Sequence, residues 1–435
     1  MTQNDLQVKK NRAVLVGLWA HRLSVEENAT EETVEELADL LETAGGECVG
    51  TVLQSKDSPD PRTFIGEGKV AEVRELVRAM DADMVIFDNS LSPSQQRVLS
   101  EELKVAVMDR SALILDIFAQ RARTREGRLQ VELAQYKYLL PRLLGMWTHL
   151  ERQEGAIGTR GPGETQLETD RRHIHRKIAK LEDELRDVRR VRATQRSRRE
   201  KNEVPVVAIV GYTNAGKSTL FNCLSSAGVF AENLLFATLD PTMRRIRLPG
   251  GREVILSDTV GFISDLPHEL IMSFRATLEE VLEADVIVHV RDIANENSLA
   301  QKKDVLNVLK SLGLKNIENE SGYIEVLNKI DLFDEAGRRY LEENAARNAN
   351  VVPLSAVSGE GTERFLRLVE DKLSASFRMV EVTTDAADGK LISWIYKNTD
   401  VISAAAKGER MILRLKADDA AISKLKNKTP VRTLG

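Results

Sequence analysis

The chain has 435 residues, 42% hydrophobic and 30% charged, enough for several apolar cores under a well-solvated surface. A formal net charge of −5 singles out no partner. No apolar run approaches the roughly 20 residues that span a membrane, and the polar stretch Met1 to Arg12 lacks a signal core. The two cysteines, Cys48 and Cys223, have no metal-ligand spacing and read as reduced thiols of a cytoplasmic protein.

Residues 13–110 alternate strand and helix signals. Ala13 to Leu18 reads as a buried strand, and Thr30 to Thr43 as a helix with Thr30 at its N-cap. Val49 to Gln54 reads as a strand, Lys69 to Met80 as a helix and Met84 to Asp88 as a third strand. Ser92 to Leu103 reads as a helix entered through Pro93. This alternation predicts an α/β layer with parallel strands. The stretch Thr63-Phe64-Ile65-Gly66-Glu67-Gly68-Lys69-Val70 has two glycines but no G-K-[ST] ending, so it reads as a turn or contact surface rather than a second nucleotide site.

Residues 111–203 differ in kind. Leu129, Leu133, Tyr136, Leu140 and Leu143 step by four and three, as do Ile174, Ile178, Leu181, Leu185 and Val188. Two heptad seams separated by a break predict an antiparallel helical hairpin, with Pro141 kinking or ending its first helix. The break, Ile157-Gly158-Thr159-Arg160-Gly161-Pro162-Gly163-Glu164-Thr165-Gln166-Leu167-Glu168, predicts a tip that continues neither helix. From Arg171 to Lys201 there are 13 Lys/Arg against 5 Asp/Glu, a local net of +8 in an acidic chain. A basic stem with a glycine-rich, arginine-bearing tip predicts contact with a phosphate backbone. His173 and His175 fall on different helix faces, which argues against a metal pair.

Residues 204–377 carry the chemistry. The apolar run Val206 to Val210 leads into Gly211-Tyr212-Thr213-Asn214-Ala215-Gly216-Lys217-Ser218 and a helix pattern beyond it. Strand, glycine-cornered loop and helix form the context in which backbone N–H groups and a helix N-terminus cradle phosphate. Lys217 would reach the β/γ-phosphates, and Ser218 would ligate Mg²⁺. Asp258-Thr259-Val260-Gly261 follows another apolar run. Asp258 would hold Mg²⁺ through water, and the Gly261 N–H would sense the γ-phosphate. Phe236-Ala237-Thr238-Leu239-Asp240 fits a first switch, with Thr238 as the second Mg²⁺ hydroxyl and Thr242 as its rival. Asn328-Lys329-Ile330-Asp331 selects guanine: the Asp331 carboxylate can accept from N1–H and the exocyclic amine, a donor pair adenine lacks. Ser355-Ala356-Val357 would supply backbone contact to the guanine oxygen. Phe262 stands where many GTPases place the glutamine that orients the attacking water, so intrinsic hydrolysis is expected to be slow and to need a partner.

These five segments resemble the translation-factor-related GTPases. Together with the G-x-R-G-P-G-E-x-x-L-E tip and the T-F-I-G-E-G-K-V and F-A-T-L-D-P-T stretches, the chain resembles the HflX family over nearly its whole length. The resemblance implies a cytoplasmic, Mg²⁺-dependent GTPase that binds the large ribosomal subunit and splits or recycles ribosomes, often under stress. It also implies hydrolysis stimulated by the ribosome, and the rRNA contact would run through Arg160 and Arg171 to Lys201. A ribosome-assembly GTPase is the alternative. One-arm docking suits a monomer. The expected architecture is multidomain α/β: an N-terminal α/β domain (1–110), a helical hairpin arm with a glycine-rich tip (111–203), a P-loop GTPase domain (204–377) and a small C-terminal α+β domain (378–435).

Overall fold

The structure, a computed structural model, describes residues 11–24, 27–147, 162–200, 204–225, 236, 242–263, 281–314, 317–320, 322–374, 378–417 and 419–433. The N-terminal layer is a four-stranded parallel sheet in the order β2-β1-β3-β4, built from β1 (Arg12–Ala20), β2 (Glu47–Lys56), β3 (Met84–Phe87) and β4 (Ala106–Asp109). Strand β1 is buried on both faces, the reason its sequence is a continuous apolar run. Ala13 and Leu15 point to α1 (Glu31–Thr43), where Val34, Leu37 and Leu40 meet them. Val14, Val16 and Leu18 face the core shared with α2 (Glu67–Ala79) and α3 (Pro93–Leu103). Capping boxes at Thr30 and Ser92 start α1 and α3.

Helix α4 (Arg110–Arg121) was expected to belong to the arm, but it packs into the N-terminal core through Leu113, Ile114, Ile117 and Phe118. Helix α5 (Arg125–Trp147) has two apolar faces. Val131 and Ala134 join that same core, while Leu129 and Leu133 meet Leu181 and Leu185 of α6 (Pro162–Glu200). Ion pairs Lys137–Glu182 (2.9 Å) and Lys177–Glu132 (3.3 Å) flank this seam. Pro141 neither ends nor interrupts α5. The reason is tertiary: Arg142 lies 3.3 Å over the Tyr138 ring and donates to Asp109 (2.9 Å), the Leu91 carbonyl (3.1 Å) and Gln96 (3.0 Å). Those bonds clamp the helix to the N-terminal layer on the far side of the proline. The tip expected to continue neither helix is shorter than predicted, because Pro162 and Gly163 open α6. Proline suits a first helical turn, where its missing N–H has no partner to lose. Arg160 and the tip residues through Gly161 lie outside the described residues.

The second sheet has the order β10-β9-β8-β5-β7-β6: β5 (Val206–Gly211), β6 (Thr242–Arg247), β7 (Glu253–Asp258), β8 (Val286–Asp292), β9 (Tyr323–Asn328) and β10 (Val351–Pro353). All pairs are parallel except β6 with β7. Helices α7 (Lys217–Ser225), α8 (Ser298–Ser311), α9 (Glu335–Ala346) and α10 (Thr362–Ser374) accompany it. One apolar core runs without a break from the N-terminal layer into this domain, joining Phe118 and Val131 to Tyr212, Phe236, Val260 and Phe262.

The C-terminal part folds as β11 (Arg378–Asp385), α11 (Gly389–Asn398), β12 (Asp400–Lys407), β13 (Arg410–Ala417), α12 (Asp419–Lys426) and β14 (Val431–Thr433). Its antiparallel sheet, β12-β13-β11-β14, is the split β-α-β arrangement around Val380, Val382, Leu413 and Ile395. Among the described residues, no helix is long and apolar enough to cross a membrane.

Candidate active site

The site lies at the carboxyl ends of β5, β7, β8 and β9. The loop Gly211–Ser218 leaves β5, and its carbonyl at Gly216 begins α7 by accepting from Leu220. Gly216 sits at φ +89, and a Cβ there would stand 2.2 Å from Asn328 Nδ2. At Gly261 a Cβ would meet Lys217 Nζ at 2.9 Å, so no larger residue fits between this glycine and the lysine. Asn214 takes a left-handed conformation and is exposed at the bend, while Ala215 is buried beneath it.

Lys217 is 6% exposed, and its Nζ donates to the Tyr212 carbonyl at 2.5 Å. Burial pushes its pKa down to about 8, against the pull of Asp258. Ser218 Oγ donates to Asp258 Oδ2 at 2.8 Å, and Asp258 is fully buried at the end of β7. Thr259 Oγ1 donates to the Ile209 carbonyl at 2.7 Å, tying β7 to β5, and Val260 is buried in the shared core. Among the described residues, the Oγ1 of Thr213 and the Oδ1 of Asp331 are buried without a hydrogen-bond partner. Such orphaned acceptors cost about 1–3 kcal/mol each, and both stand where phosphate and guanine would supply donors or a metal.

The guanine end differs in detail from the sequence expectation. Asn328 is 2% exposed, with Nδ2 donating to the Ala215 carbonyl (2.8 Å) and Oδ1 accepting from Ala356 N (3.0 Å). It braces the phosphate loop to the Ser355–Val357 loop, leaving one amide N–H for a base. The Ala356 N–H is thus paired with Asn328, while the next residue, Val357, is 81% exposed. Ser355 is fully buried and accepts from Ser358 N at 3.2 Å. Lys329, with φ +69, holds its Nζ 2.6 Å from Asp292 Oδ2, and Ile330 begins the short 3₁₀ turn that carries Asp331. Sequence reading missed Asp292. Its position at the end of the apolar run Val286 to Val290, level with Asn328 across the sheet, was the available signal.

Phe236 is 2% exposed and packs edge-to-face on Phe118 of α4, ring centroids 4.7 Å apart. Ala237, Thr238, Leu239 and Asp240 lie outside the described residues. Thr242 opens β6, opposite Asp258. Phe262 is 2% exposed in the shared core and forms a bridge with Tyr212. A phenyl ring buried there cannot orient water.

The residues present suit Mg²⁺ held chiefly by phosphate oxygens. Among the described residues no group of three or more His, Cys, Asp or Glu gathers as a self-sufficient metal cage, whereas the Ser218 hydroxyl and Asp258 carboxylate stand together. The bound ion would supply charge neutralisation at the β- and γ-phosphates.

A glycine-cornered loop between β5 and α7, a buried lysine and a guanine-selecting strand end define a P-loop GTPase. Residues 31–119, 121–199, 206–329 and 340–423 match in turn the families described as GTP-binding GTPase N-terminal, GTP-binding GTPase middle region, 50S ribosome-binding GTPase and HflX C-terminal domain. The chain is 46% identical over 380 residues to GTPase HflX of Caldanaerobacter subterraneus subsp. tengcongensis, covering 87% of this chain and 84% of that one. It is 44% identical to GTPase HflX of Escherichia coli, with 84% and 85% covered. A GTP-binding protein from Sulfolobus solfataricus, solved with GDP, is similar at TM-score 0.45 and 23% identity, with 84% and 99% covered. The chain belongs to the HflX GTPase family.

Proposed function

We propose that this GTPase binds the large ribosomal subunit through its basic arm and uses GTP to split or recycle ribosomes, and that the ribosome stimulates its hydrolysis. The observation that carries the reading is the arm. The stretch Arg171 to Lys201, which lies on α6 as far as Glu200, has a net charge of +8, and α5 roots that helix in the core that also contains Tyr212, Phe236 and Phe262. Gly211 to Ser218 would cradle the phosphates, with Lys217 stabilising charge as the γ-phosphoryl moves to water. Ser218 and Thr238 would hold Mg²⁺, Asp258 would hold it through water, and Gly261 would report the γ-phosphate. Asn328, Lys329, Ile330 and Asp331 would read guanine, with Ser355, Ala356 and Val357 closing over its oxygen. The arrangement of Phe262 supports slow hydrolysis in isolation. The family description of residues 206–329 as a 50S ribosome-binding GTPase supports the choice of partner.

Sedimentation of coupled ribosomes with the protein and each nucleotide state tests this. Splitting is expected with a non-hydrolysable GTP analogue and not with GDP. Intact coupled ribosomes in both states, with binding only to large-subunit precursors, would replace splitting by the assembly role.

A further inference from the structure

Tyr212 belongs to the phosphate loop by its backbone and to the N-terminal layer by its side chain. Its carbonyl accepts from Lys217 Nζ at 2.5 Å. On either side of it the loop pairs with the residue after the Asp258–Gly261 motif: Phe262 N donates to the Gly211 carbonyl (3.1 Å), and Thr213 N donates to the Phe262 carbonyl (2.6 Å). The ring is 5% exposed, and its hydroxyl donates to Glu36 Oε1 of α1 at 2.5 Å.

Glu36 is itself held. Its other oxygen pairs with Arg110, which is 3% exposed and also donates to Asp88 Oδ1 (2.8 Å) and the Thr33 carbonyl (3.2 Å). Thr33 Oγ1 closes the set on Asp88 Oδ2 at 2.5 Å. The phenol therefore ends on a rigid, charge-compensated scaffold that a neighbouring domain builds. We propose that Glu36 is a positioning residue for the nucleotide: through Tyr212 it fixes the phosphate-loop backbone, and with it the N–H groups and Lys217, before any phosphate arrives. A loop with glycines at both corners and a left-handed Asn214 has backbone freedom that binding must remove, at the expense of affinity, wherever no contact has removed it first. This inference rests on the nucleotide reading of the site.

The test uses the full chain and compares Tyr212→Phe, Glu36→Ala and the double variant, with fluorescent GDP and IDP as probes. Each single change is expected to weaken GDP roughly tenfold. The double variant should be no weaker than the worse single, since both break one bond. The preference for GDP over IDP should stay at the parent value, because the base is read by Asp331. That unchanged ratio separates positioning from general damage. GDP affinity within twofold of the parent for Tyr212→Phe, which keeps the ring and leaves Arg110 its carboxylates, would overturn the inference. So would fully additive losses, or a collapse of the GDP/IDP ratio. A parent chain that binds neither nucleotide would instead sink the site reading itself.

Discussion

The N-terminal parallel sheet and the largely parallel GTPase sheet finish their carboxyl edges in opposite ways. In the N-terminal sheet the crevice between β1 and β3, where the strand order reverses and open α/β sheets usually bind ligands, is filled by the protein's own groups. Asn89 accepts from Leu18 N (2.8 Å) and donates to the carbonyls of Leu18 (2.9 Å) and Glu27 (2.7 Å). Beside it Arg110 donates to Asp88 Oδ1 and the Thr33 carbonyl, and Thr33 Oγ1 donates to Asp88 Oδ2. Even the glycine-bearing Thr63–Val70 stretch closes on itself, with Thr63 Oγ1 donating to the Ile65 carbonyl and Gly66 N donating to Gln54. In the GTPase sheet, Thr213 and Asp331 carry buried acceptors without partners among the described residues, and Lys217 carries a charge that burial disfavours. Of two similar scaffolds, one turns the polar groups of its crevice on itself. The other keeps them in reserve for a ligand.

Asp331→Asn should break this contrast most sharply. It removes a charged acceptor for two guanine donors, so GDP affinity should fall roughly 100-fold or more. Xanthosine diphosphate, which offers an oxygen where guanine has its amine, should bind better than GDP. Thermal stability should hardly move, because Asp331 Oδ1 has no partner among the described residues to lose. Unchanged GDP affinity by fluorescence titration would mean the base is read elsewhere.

The site was legible in the sequence because phosphate and guanine chemistry is local: Gly211–Ser218 and Asn328–Asp331 are short, and their order is diagnostic. What escaped reading is what distance in the chain hides. The Tyr212–Glu36 bond spans 176 residues, and no local pattern announces it. Pro141 stayed helical because Arg142 is tied to Asp109, 33 positions back. Strand β12 carries Ser403-Ala404-Ala405-Ala406, residues with weak strand preference, and is set by pairing with β13 rather than by its own composition. Helices α1 and α3 were readable because caps and apolar period agree with the layer they pack on, and α2 by its apolar period alone.

Asn89→Ala examines the opposite edge. It strands Leu18 N and the carbonyls of Leu18 and Glu27, a loss of about 2–4 kcal/mol in stability. Urea unfolding followed with hydrogen exchange should place the loss in β1 and β3, while the preference for GDP over IDP stays at the parent value. A shifted preference with intact stability would make the N-terminal crevice part of the nucleotide site.

The smallest effect concerns the two buried cations, one at each edge. Arg110 is opposed by burial, but Glu36 and Asp88 outweigh it and raise its pKa, so it never titrates in the working range. Lys217 is opposed by burial with only Asp258 pulling the other way, and its pKa falls to about 8. Below pH 8 the free protein carries Lys217 charged, and GDP binding takes up no proton there. Above pH 8 the free lysine loses its proton while bound phosphates demand the charged form, so binding must take one up. Affinity should then fall, by at most tenfold per pH unit. Calorimetry between pH 7 and 9 in two buffers of different ionisation heat reads that proton directly, and Lys217→Arg, which keeps its charge, should flatten the profile. A flat profile in the parent chain with no proton uptake would show Lys217 to be as fully compensated as Arg110. The two edges would then differ only in hydrogen bonding, not in charge.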